Sequence, residues 1–479
     1  MTVTRTTSCS RGSLPDGGQP PRRQATSLGP DRSNPAAMDH ARSSRIAALA
    51  LTLAAGAAAC TASESEVRPD PDTIFFPTSV AVAPDDSVAF VVSGNSDLTY
   101  DSGTVQVVDL AAVEQTVTAW KSSRAVPAGC ATVVENPETL ACDEAEYLID
   151  DAGVRIGNFA TAVGMQELGA GRLRLLVPVR GDPSVTWMDW DPATRKLGCS
   201  TASGFALCDD DHRLVQIRDD DSLPSLPAEP YGIYVDSTAG FAVVTHFVNG
   251  TVSLIDSPAD GTPMVSDAVQ VGTLSGLSSV AGRKPGADNL VYVQSRADDR
   301  VFVMTVARTA LREPFLVGSG FFFQNGVGSG QSTGGVGEDS RGLLFRDDGD
   351  RALTVNRTPP ALSVIDTSLS PTGVPYNRLV GSTDICRQAT SLVAVDTGAG
   401  ERVYVTCYAE GELYVVDPRG GGRVEATALV GRGPISSAAA ASRRLLLVTN
   451  FVDASVAVVD LDPTSPFAYR VVMRIGGRS

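Results

Sequence analysis

Histidine is scarce in this chain: the 479 residues include only His40, His212 and His246. A metal site built from a cluster of imidazoles is therefore excluded. Basic residues are also outnumbered, with 39 Lys and Arg against 55 Asp and Glu and a net charge of −16. Such a chain repels nucleic acid and anionic lipid, so we expect no nucleic-acid partner.

Long apolar runs are missing too. The run at residues 46–59 is too short for a membrane-spanning helix, which needs about 20 residues. Sequence signatures for a phosphate loop, a dinucleotide site, a haem site or a C-x-x-C metal site do not occur, so we expect no cofactor and no metal. What the chain does contain is 46 Gly and 29 Pro, which indicate a globular fold rich in turns.

The N-terminal residues have the organisation of an export signal. Residues 1–37 are rich in Ser, Pro, Gly and Arg, and we interpret them as a non-native or disordered extension. Residues 38–59 begin with a basic stretch and continue with the apolar run, and Cys60 follows. The sequence Ala57-Ala58-Ala59-Cys60 resembles a bacterial lipoprotein signal, in which the cysteine is lipidated, although Leu is usual where Ala57 stands. A secretory signal without a lipid and a buried helix are the alternatives.

Residues 60–73 are polar and acidic and predict a tether, which leaves 74–479 as the folded domain. Removal of residues 1–59 takes away seven basic and three acidic residues, so the net charge moves from −16 to −20.

Six cysteines follow Cys60, and they fall in near pairs. In an oxidising compartment this pattern predicts three disulfides, each worth about 2–4 kcal/mol. The predicted bonds are Cys130–Cys142, Cys199–Cys208 and Cys386–Cys407. Buried free thiols are the alternative.

One pattern recurs seven times along the chain: a short apolar run, a few polar residues, and a second run that closes on Asp or Thr. In six copies the closing residue lies ten positions after the last residue of the first run, and only the first copy is longer. Such constant spacing predicts one supersecondary unit used seven times. The closing residues are Asp109, Asp189, Asp256, Thr305, Asp366, Asp417 and Asp460.

A further apolar run precedes most units and a weaker one follows, with Asp, Gly or Ser turns between them. Four short strands per unit predict an all-β fold, a seven-bladed β-propeller with four-stranded antiparallel blades. We find no convincing helical period after residue 60 and expect no helix there.

The units resemble the YVTN repeats of extracytoplasmic β-propellers, whose pattern is P-x-x-V-A-V-x-x-D-G, Y-V-T-N and V-S-V-I-D. The best matches are LVTN at 447–450 and SVID at 363–366, and the resemblance covers about residues 74–476. It implies a fold rather than an activity, because the relatives include surface-layer proteins, periplasmic binding proteins and lactonase-like enzymes.

In such propellers, the loops that lead into the inner strands and those between the second and third strands surround the channel on one face. That face is the default ligand site. Its four arginines could bind an anion such as a carboxylate, or they could pair with neighbouring Asp on a solvated rim. The resemblance places there Asn158, Arg180, Tyr231, His246, Asn249, Arg296, Asn356, Arg357, Arg387, Gln388, Tyr408 and Asn450.

His246 occupies the Asn position of its repeat and is expected to face the channel or to bond the backbone. A catalytic role would need an orienting carboxylate, and the sequence assigns none.

The G-x-S-x-G match at 330–334 lies in a glycine-rich loop with no helix after it, so we interpret it as a coincidence. Phe321, Phe322 and Phe323 are expected to be buried or to form a lid or plug. The Asp runs at 209–211 and 219–221 are expected to be solvated loops rather than a calcium site.

We therefore predict a lipid-anchored propeller of the bacterial cell envelope, at the outer membrane, that binds an envelope protein or a small anionic ligand without catalysis. It would contact the membrane through its lipid only. The alternative is a lactonase-like hydrolase that uses the same face, and a passive surface-layer component is a third possibility. Carboxylates and histidine around a metal would favour the hydrolase, whereas an arginine-lined channel would favour the binding module.

Overall fold

The structure is a computed structural model that describes residues 67–202, 204–215, 224–271, 275–324, 338–346, 348–419 and 422–477. The chain divides into two units after Glu64, and all described residues lie in the second. The predicted extension 1–37, the signal segment 38–59, Cys60, the Asp run 219–221 and the motif at 330–334 lie outside the described residues.

The strands form seven sheets, one per blade, which confirms the predicted seven-bladed propeller with four-stranded antiparallel blades. Blade 1 contains β1 (Pro77–Val82), β2 (Val88–Ser93), β3 (Gly103–Asp109) and β6 (Val154–Ile156); between its last two strands lie α1 (Leu110–Ser123), β4 (Cys130–Thr132) and β5 (Leu140–Cys142). Blade 2 contains β7 (Gly164–Gly169), β8 (Arg172–Val179), β9 (Ser184–Asp191), β10 (Lys196–Gly198) and β11 (Arg213–Val215). Blade 3 contains β12 (Pro230–Asp236), β13 (Phe241–His246), β14 (Thr251–Asp256) and β15 (Met264–Gln270).

Blade 4 contains β16 (Leu277–Gly282), β17 (Leu290–Ser295), β18 (Arg300–Arg308) and β19 (Pro314–Phe323). Blade 5 contains β20 (Glu338–Phe345), β21 (Arg351–Thr358), β22 (Pro360–Asp366) and β23 (Arg378–Asp384). Blade 6 contains β24 (Ala389–Asp396), β25 (Glu401–Cys407), β26 (Glu412–Asp417) and β27 (Arg423–Leu429). Blade 7 contains β28 (Pro434–Ala440), β29 (Leu445–Asn450), β30 (Ser455–Asp460) and β31 (Val471–Gly476).

The hydrophobic core lies between the blades. Between blades 3 and 4, for example, Phe241 and Val243 belong to the same buried cluster as Phe302 and Met304. A fully buried side chain of this size contributes about 1.5–3 kcal/mol. A blade can bury its apolar faces only when both neighbours are present, so the ring gains its stability as a whole.

Polar contacts tie each pair of neighbouring blades together away from the core. Between blades 2 and 3, for example, Gln166 Nε2 donates to Ser257 O at 2.6 Å. The others, in order around the ring, are Arg195–Asp109, Gly286–Asp236, Arg283–Thr367, Arg346–Glu401, Thr397–Leu461 and Ser442–Asp86. All seven interfaces therefore carry at least one tie.

The expectation of no helix after residue 60 is wrong, because α1 follows β3 directly. Its buried residues Leu110, Val113, Val117 and Trp120 lie on one face, with the three- and four-residue spacing of an amphipathic helix. Asp109 closes the first repeat and also caps the helix, since its carboxylate accepts from the N–H groups of Ala111 and Ala112. The helical period is present in the sequence but is only 14 residues long.

The insertion in blade 1 closes the ring against blade 7. All four strands of blade 7 come from the end of the chain, and the β4–β5 hairpin extends that sheet, with β5 parallel to β31. Lys121 of α1 pairs with the buried Asp460 at 2.5 Å. Thr139 Oγ1 donates to Val471 O at 2.8 Å. Asp86, in the turn between β1 and β2, accepts from Ser442 N of blade 7 at 2.7 Å.

The three predicted disulfides are confirmed: Cys130–Cys142 joins β4 to β5, Cys199–Cys208 closes a loop of blade 2, and Cys386–Cys407 lies in blade 6. Of the predicted tether, residues 67–73 are described, and the carbonyls of Pro71 and Thr73 accept from Gln106. In the described ranges no helix is long and apolar enough to cross a membrane.

Because Cys130–Cys142 braces the hairpin that pairs with β31, we predict that the double variant Cys130→Ala/Cys142→Ala is less stable by about 3 kcal/mol. Amide hydrogen exchange should accelerate at Met473–Ile475, measured by mass spectrometry. The variant Cys199→Ala/Cys208→Ala is the matched control and should leave β31 unchanged. Equal protection of β31 in both variants would contradict this account of closure.

Candidate functional site

The central channel opens into a cavity of about 420 Å³ at the end where the first strands of the blades begin and the second strands finish. Every blade contributes to its wall. The lining residues are Thr78, Ser79, Thr161, Ala162, Tyr231, Gly232, Ser278, Arg296, Arg341, Arg357, Gln388, Thr390, Ser391, Tyr408, Ile435 and Ser436.

A repeated β-bulge builds this wall. In six blades the pairing of the first strand with the second shifts register near the start of the first strand. A bulge leaves an extra residue unpaired and re-aims its side chain, and every one of these extra residues lines the cavity. They are Thr78, Tyr231 with Gly232, Ser278, Arg341, Thr390 and Ile435.

In five blades the segment that leads into the first strand is held by the last residue of the second strand, and we call this contact the clasp. In blade 7, Asn450 Nδ2 donates to Val430 O at 2.9 Å, and in blade 4 Ser295 Oγ donates to Ser275 O at 2.8 Å. In blade 6 the contact is covalent, because Cys407 is bonded to Cys386. Ser93 and His246 make the clasp in blades 1 and 3, whereas in blade 5 Asn356 accepts from Ser340 Oγ inside β20 itself.

His246 is a structural residue of this kind. Its side chain is 0% exposed, its Nδ1 lies 3.1 Å from Ala228 O, and its Nε2 lies 2.8 Å from Ser253 Oγ. A neutral ring satisfies both contacts, with Nδ1–H donating and Nε2 accepting from the hydroxyl. Burial lowers the pKa of His246 from 6.5 to about 4, so the ring is neutral near pH 7.

Three arginines meet in the cavity wall, and we call Arg296, Arg341 and Arg357 the three-arginine cluster. They come from the loop after β17, the bulge of β20 and the end of β21. Arg341 pairs with Asp339 at 2.7 Å, and Arg357 Nε donates to Ala389 O at 2.8 Å. Asp339 offsets one charge, so the cluster keeps an excess of positive charge.

The surroundings of Arg296 and Arg357 disfavour their charged form. Burial, with the charge of Arg341 acting in the same direction, lowers the pKa of Arg357 to about 10. Burial also lowers the pKa of Arg296, with Arg341 acting in the same direction and the adjacent Tyr231 opposing it. The buried Nε atoms of Arg296 and Arg341 have no hydrogen-bond partner among the described residues. An anion in the cavity would both offset the charge and accept from guanidinium groups.

Aromatic rings hold Arg296 in place. Its guanidinium carbon lies 4.7 Å from the centre of the Tyr231 ring and 5.0 Å from that of Phe247, and its Nη2 donates to the Tyr231 hydroxyl. Arg180 lies over the same two rings at 5.8 and 5.6 Å and pairs with Glu229 at 2.6 Å.

Hydrogen bonds also run around the cavity from blade to blade. Thr161 Oγ1 donates to Tyr231 O at 2.6 Å, Ser278 Oγ to Ser340 O at 2.9 Å, and Thr390 Oγ1 to Pro434 O at 2.8 Å. Between blades 3 and 4 the two backbones approach closely at Gly232, where an added Cβ would lie 2.4 Å from Ser278 O. The wall is therefore fixed by backbone carbonyls rather than by mobile side chains alone.

The structure brings some of the residues predicted from the sequence together and separates others. Tyr231, Arg296, Arg357, Gln388 and Tyr408 line the cavity. Arg180 lies beside it, whereas Arg387 and Asn249 are exposed outside its lining. His246 and Asn450 are buried in clasps, Asn356 is buried against Ser340 of β20, and Asn158 accepts from Asn95 at 2.6 Å.

Arg341 is the charged cavity residue that the sequence analysis missed. It sits in the apolar run that begins blade 5, where a residue of a regular strand would have been expected. The sequence nevertheless contains a signal for the bulge position, because Thr78, Ser278 and Thr390 are polar residues at the same place in other blades.

The remaining sequence features lie elsewhere. Phe322 packs against Tyr292 between blades 4 and 5, while Phe321 is 51% exposed and contacts Phe302. His212 Nδ1 donates to the Asp209 carboxylate at 2.6 Å, and neither residue lines the cavity. Within the described ranges, no group of three His, Cys, Asp or Glu side chains could hold a metal ion.

No protein-family model matches the chain, and no curated protein matches it. Among similar solved structures, a candidate 6-phosphogluconolactonase from Bacteroides uniformis has 12% identity and a TM-score of 0.48, over 73% of this chain and 83% of its own. The periplasmic gluconolactonase of Pseudomonas aeruginosa has 14% identity and a TM-score of 0.47, over 73% and 84%. The β-propeller domain of Cps50 (Swd1) from Myceliophteria thermophila has 13% identity and a TM-score of 0.46, over 80% and 96%. Similarities this distant concern the fold and say nothing of activity.

We predict that His246 makes the protein sensitive to acid. Its pKa is about 4 in the folded chain and 6.5 when unfolded, so the unfolded state binds more protons between these values. Its contribution to stability is therefore complete above pH 6.5 and declines as the pH falls to 4, by about 3 kcal/mol in all.

Asn at this position makes the clasp in blade 7, so His246→Asn should keep the fold and lose less stability in acid. Urea unfolding of both proteins at about pH 7.5 and about pH 4.5 measures the difference. An identical loss of stability in the two proteins would show that His246 does not carry this effect.

Proposed function

We propose that the protein is a binding module whose central cavity holds a small anionic ligand. The observation that carries this proposal is the three-arginine cluster, in which half-buried guanidinium groups from two blades line one cavity without enough carboxylate to neutralise them. Guanidinium groups bind carboxylate and phosphate oxygens through paired, charge-assisted hydrogen bonds.

The rest of the wall suits such a ligand. Ser79, Ser391, Ser436 and Tyr408 line the part of the wall that blades 1, 6 and 7 contribute. These groups donate or accept hydrogen bonds without adding charge. The bulges and clasps fix the wall before a ligand arrives, which reduces the entropy lost on binding.

Hydrolysis of a lactone at the same cavity is the alternative activity. It would need a group that activates water, and His246 is already bonded at both ring nitrogens inside its clasp. Arginines alone can bind an oxyanion but are poor proton acceptors because of their high pKa. The cavity thus favours binding over catalysis.

We predict that Arg341→Gln weakens anion binding by about tenfold to a hundredfold, the loss expected for one charge-assisted hydrogen bond. Isothermal titration at low ionic strength with phosphate, citrate and gluconate as separate probes measures it. Arg423→Gln, on the exposed outer strand β27, is the matched control and should bind as the unmodified protein does.

Failure of all three probes to bind, or equal affinity in Arg341→Gln, would contradict the proposal. Release of acid from glucono-δ-lactone, abolished by the same substitution, would place the hydrolase ahead of the binding module.

We also propose that the chain belongs among the YVTN-repeat propellers and is exported and anchored through a lipid on Cys60. The sequence at 57–60 supports this, and so do three disulfides, which persist in oxidising compartments. Expression in a bacterium with a labelled fatty acid should label the chain, and Cys60→Ser should release it from the membrane fraction. Labelling that survives Cys60→Ser would refute the anchor.

A further inference from the structure

The Cys386–Cys407 disulfide occupies the clasp position of blade 6. Cys407 ends β25 just as Asn450 ends β29, and Cys386 lies in the segment that leads into β24. The equivalent contacts in blades 1, 3, 4 and 7 are hydrogen bonds. Blade 6 therefore makes through a covalent bond the contact that these other blades make through a hydrogen bond. Cys386 and Cys407 are 4% and 0% exposed.

The residues next to this disulfide belong to the cavity. Gln388 and Tyr408 line it, and Tyr408 N donates to Gln388 O at 2.9 Å. The carbonyl of Ala389, three residues after Cys386, accepts from Arg357 Nε at 2.8 Å. Thr390, the bulge residue, donates to Pro434 O in blade 7. The segment at 387–390 thus fixes one arginine and one side of the wall.

The other two disulfides have no such neighbours. Cys130–Cys142 braces the hairpin on the outer edge of blade 7, and Cys199–Cys208 closes a loop beyond β10. No cavity-lining residue lies within ten positions of any of these four cysteines. They provide matched bonds that stabilise the chain away from the site.

We propose that the Cys386–Cys407 disulfide is a positioning element of the anion site: it holds the carbonyl of Ala389 where it orients Arg357, and it holds Gln388 against the cavity. This inference rests on the proposed function for its effect on binding. Its structural half, the fixed segment at 387–390, stands independently of any ligand.

The test compares three double variants. Cys386→Ala/Cys407→Ala removes the clasp, Cys386→Ala/Cys407→Asn restores it as the hydrogen bond that Asn450 makes in blade 7, and Cys199→Ala/Cys208→Ala removes a disulfide elsewhere. Titration with phosphate reports affinity, hydrogen exchange of 387–390 reports the segment, and thermal unfolding reports stability.

We expect about tenfold weaker phosphate binding and faster exchange of 387–390 in the first variant, with both recovered in the Asn variant although no disulfide is present. The third variant should lose stability and keep both properties. Unchanged exchange in the first variant, or a loss of affinity that follows melting temperature alone across all three, would overturn the inference.

The two proposals fail separately. If the unmodified protein binds none of the probes, the proposed function is wrong, and hydrogen exchange still decides whether the clasp fixes the segment. If the unmodified protein binds and the first variant binds equally well, the cavity is an anion site and the disulfide does not position it.

Discussion

Closure of the ring is the constraint on which the structure depends. Each blade buries apolar side chains against two neighbours, so a gap at any interface would expose two faces at once. All four strands of blade 7 come from the end of the chain, and its contact with blade 1 is reinforced by Asp86, by α1 and by the β4–β5 hairpin that extends its sheet. The cavity needs this closure too, because its wall takes residues from all seven blades.

Most blades also share one local arrangement of the backbone around the cavity. In six blades a bulge near the start of the first strand turns a residue toward the cavity, and in five blades a clasp at the end of the second strand holds the segment that leads into the first strand. The geometry repeats while the chemistry varies: the bulge carries Thr, Ser or Ile in some blades and Arg341 in blade 5. The arginines of blades 4 and 5 therefore give the cavity wall a localised positive charge.

The fold could be predicted from the sequence because its signal is repeated seven times, and ten-residue spacing survives even where Thr305 replaces the closing Asp. The helix α1 could not, since a single amphipathic segment of 14 residues is easily lost among apolar β runs. The function of the insertion was equally hidden. Its pairing with β31 joins residues more than 300 positions apart, and only the closed ring brings them together.

The site was predictable in part for the same reason. Repeat position placed Tyr231, Arg296, Arg357 and Tyr408 at the correct end of the channel. It also suggested His246 and Asn450, because the sequence shows where a residue falls in a repeat but not whether its side chain turns inward to the axis or back to its own blade. Arg341 was missed because a bulge changes side-chain direction without changing the apolar pattern around it.

The most direct test of the account is anomalous diffraction from crystals of the protein soaked in selenate, a tetrahedral dianion. The account predicts a selenium peak in the central cavity within hydrogen-bond distance of Arg296, Arg341 and Arg357. Selenate bound only at the outer surface, with the three guanidinium groups turned away from an empty cavity, would contradict it.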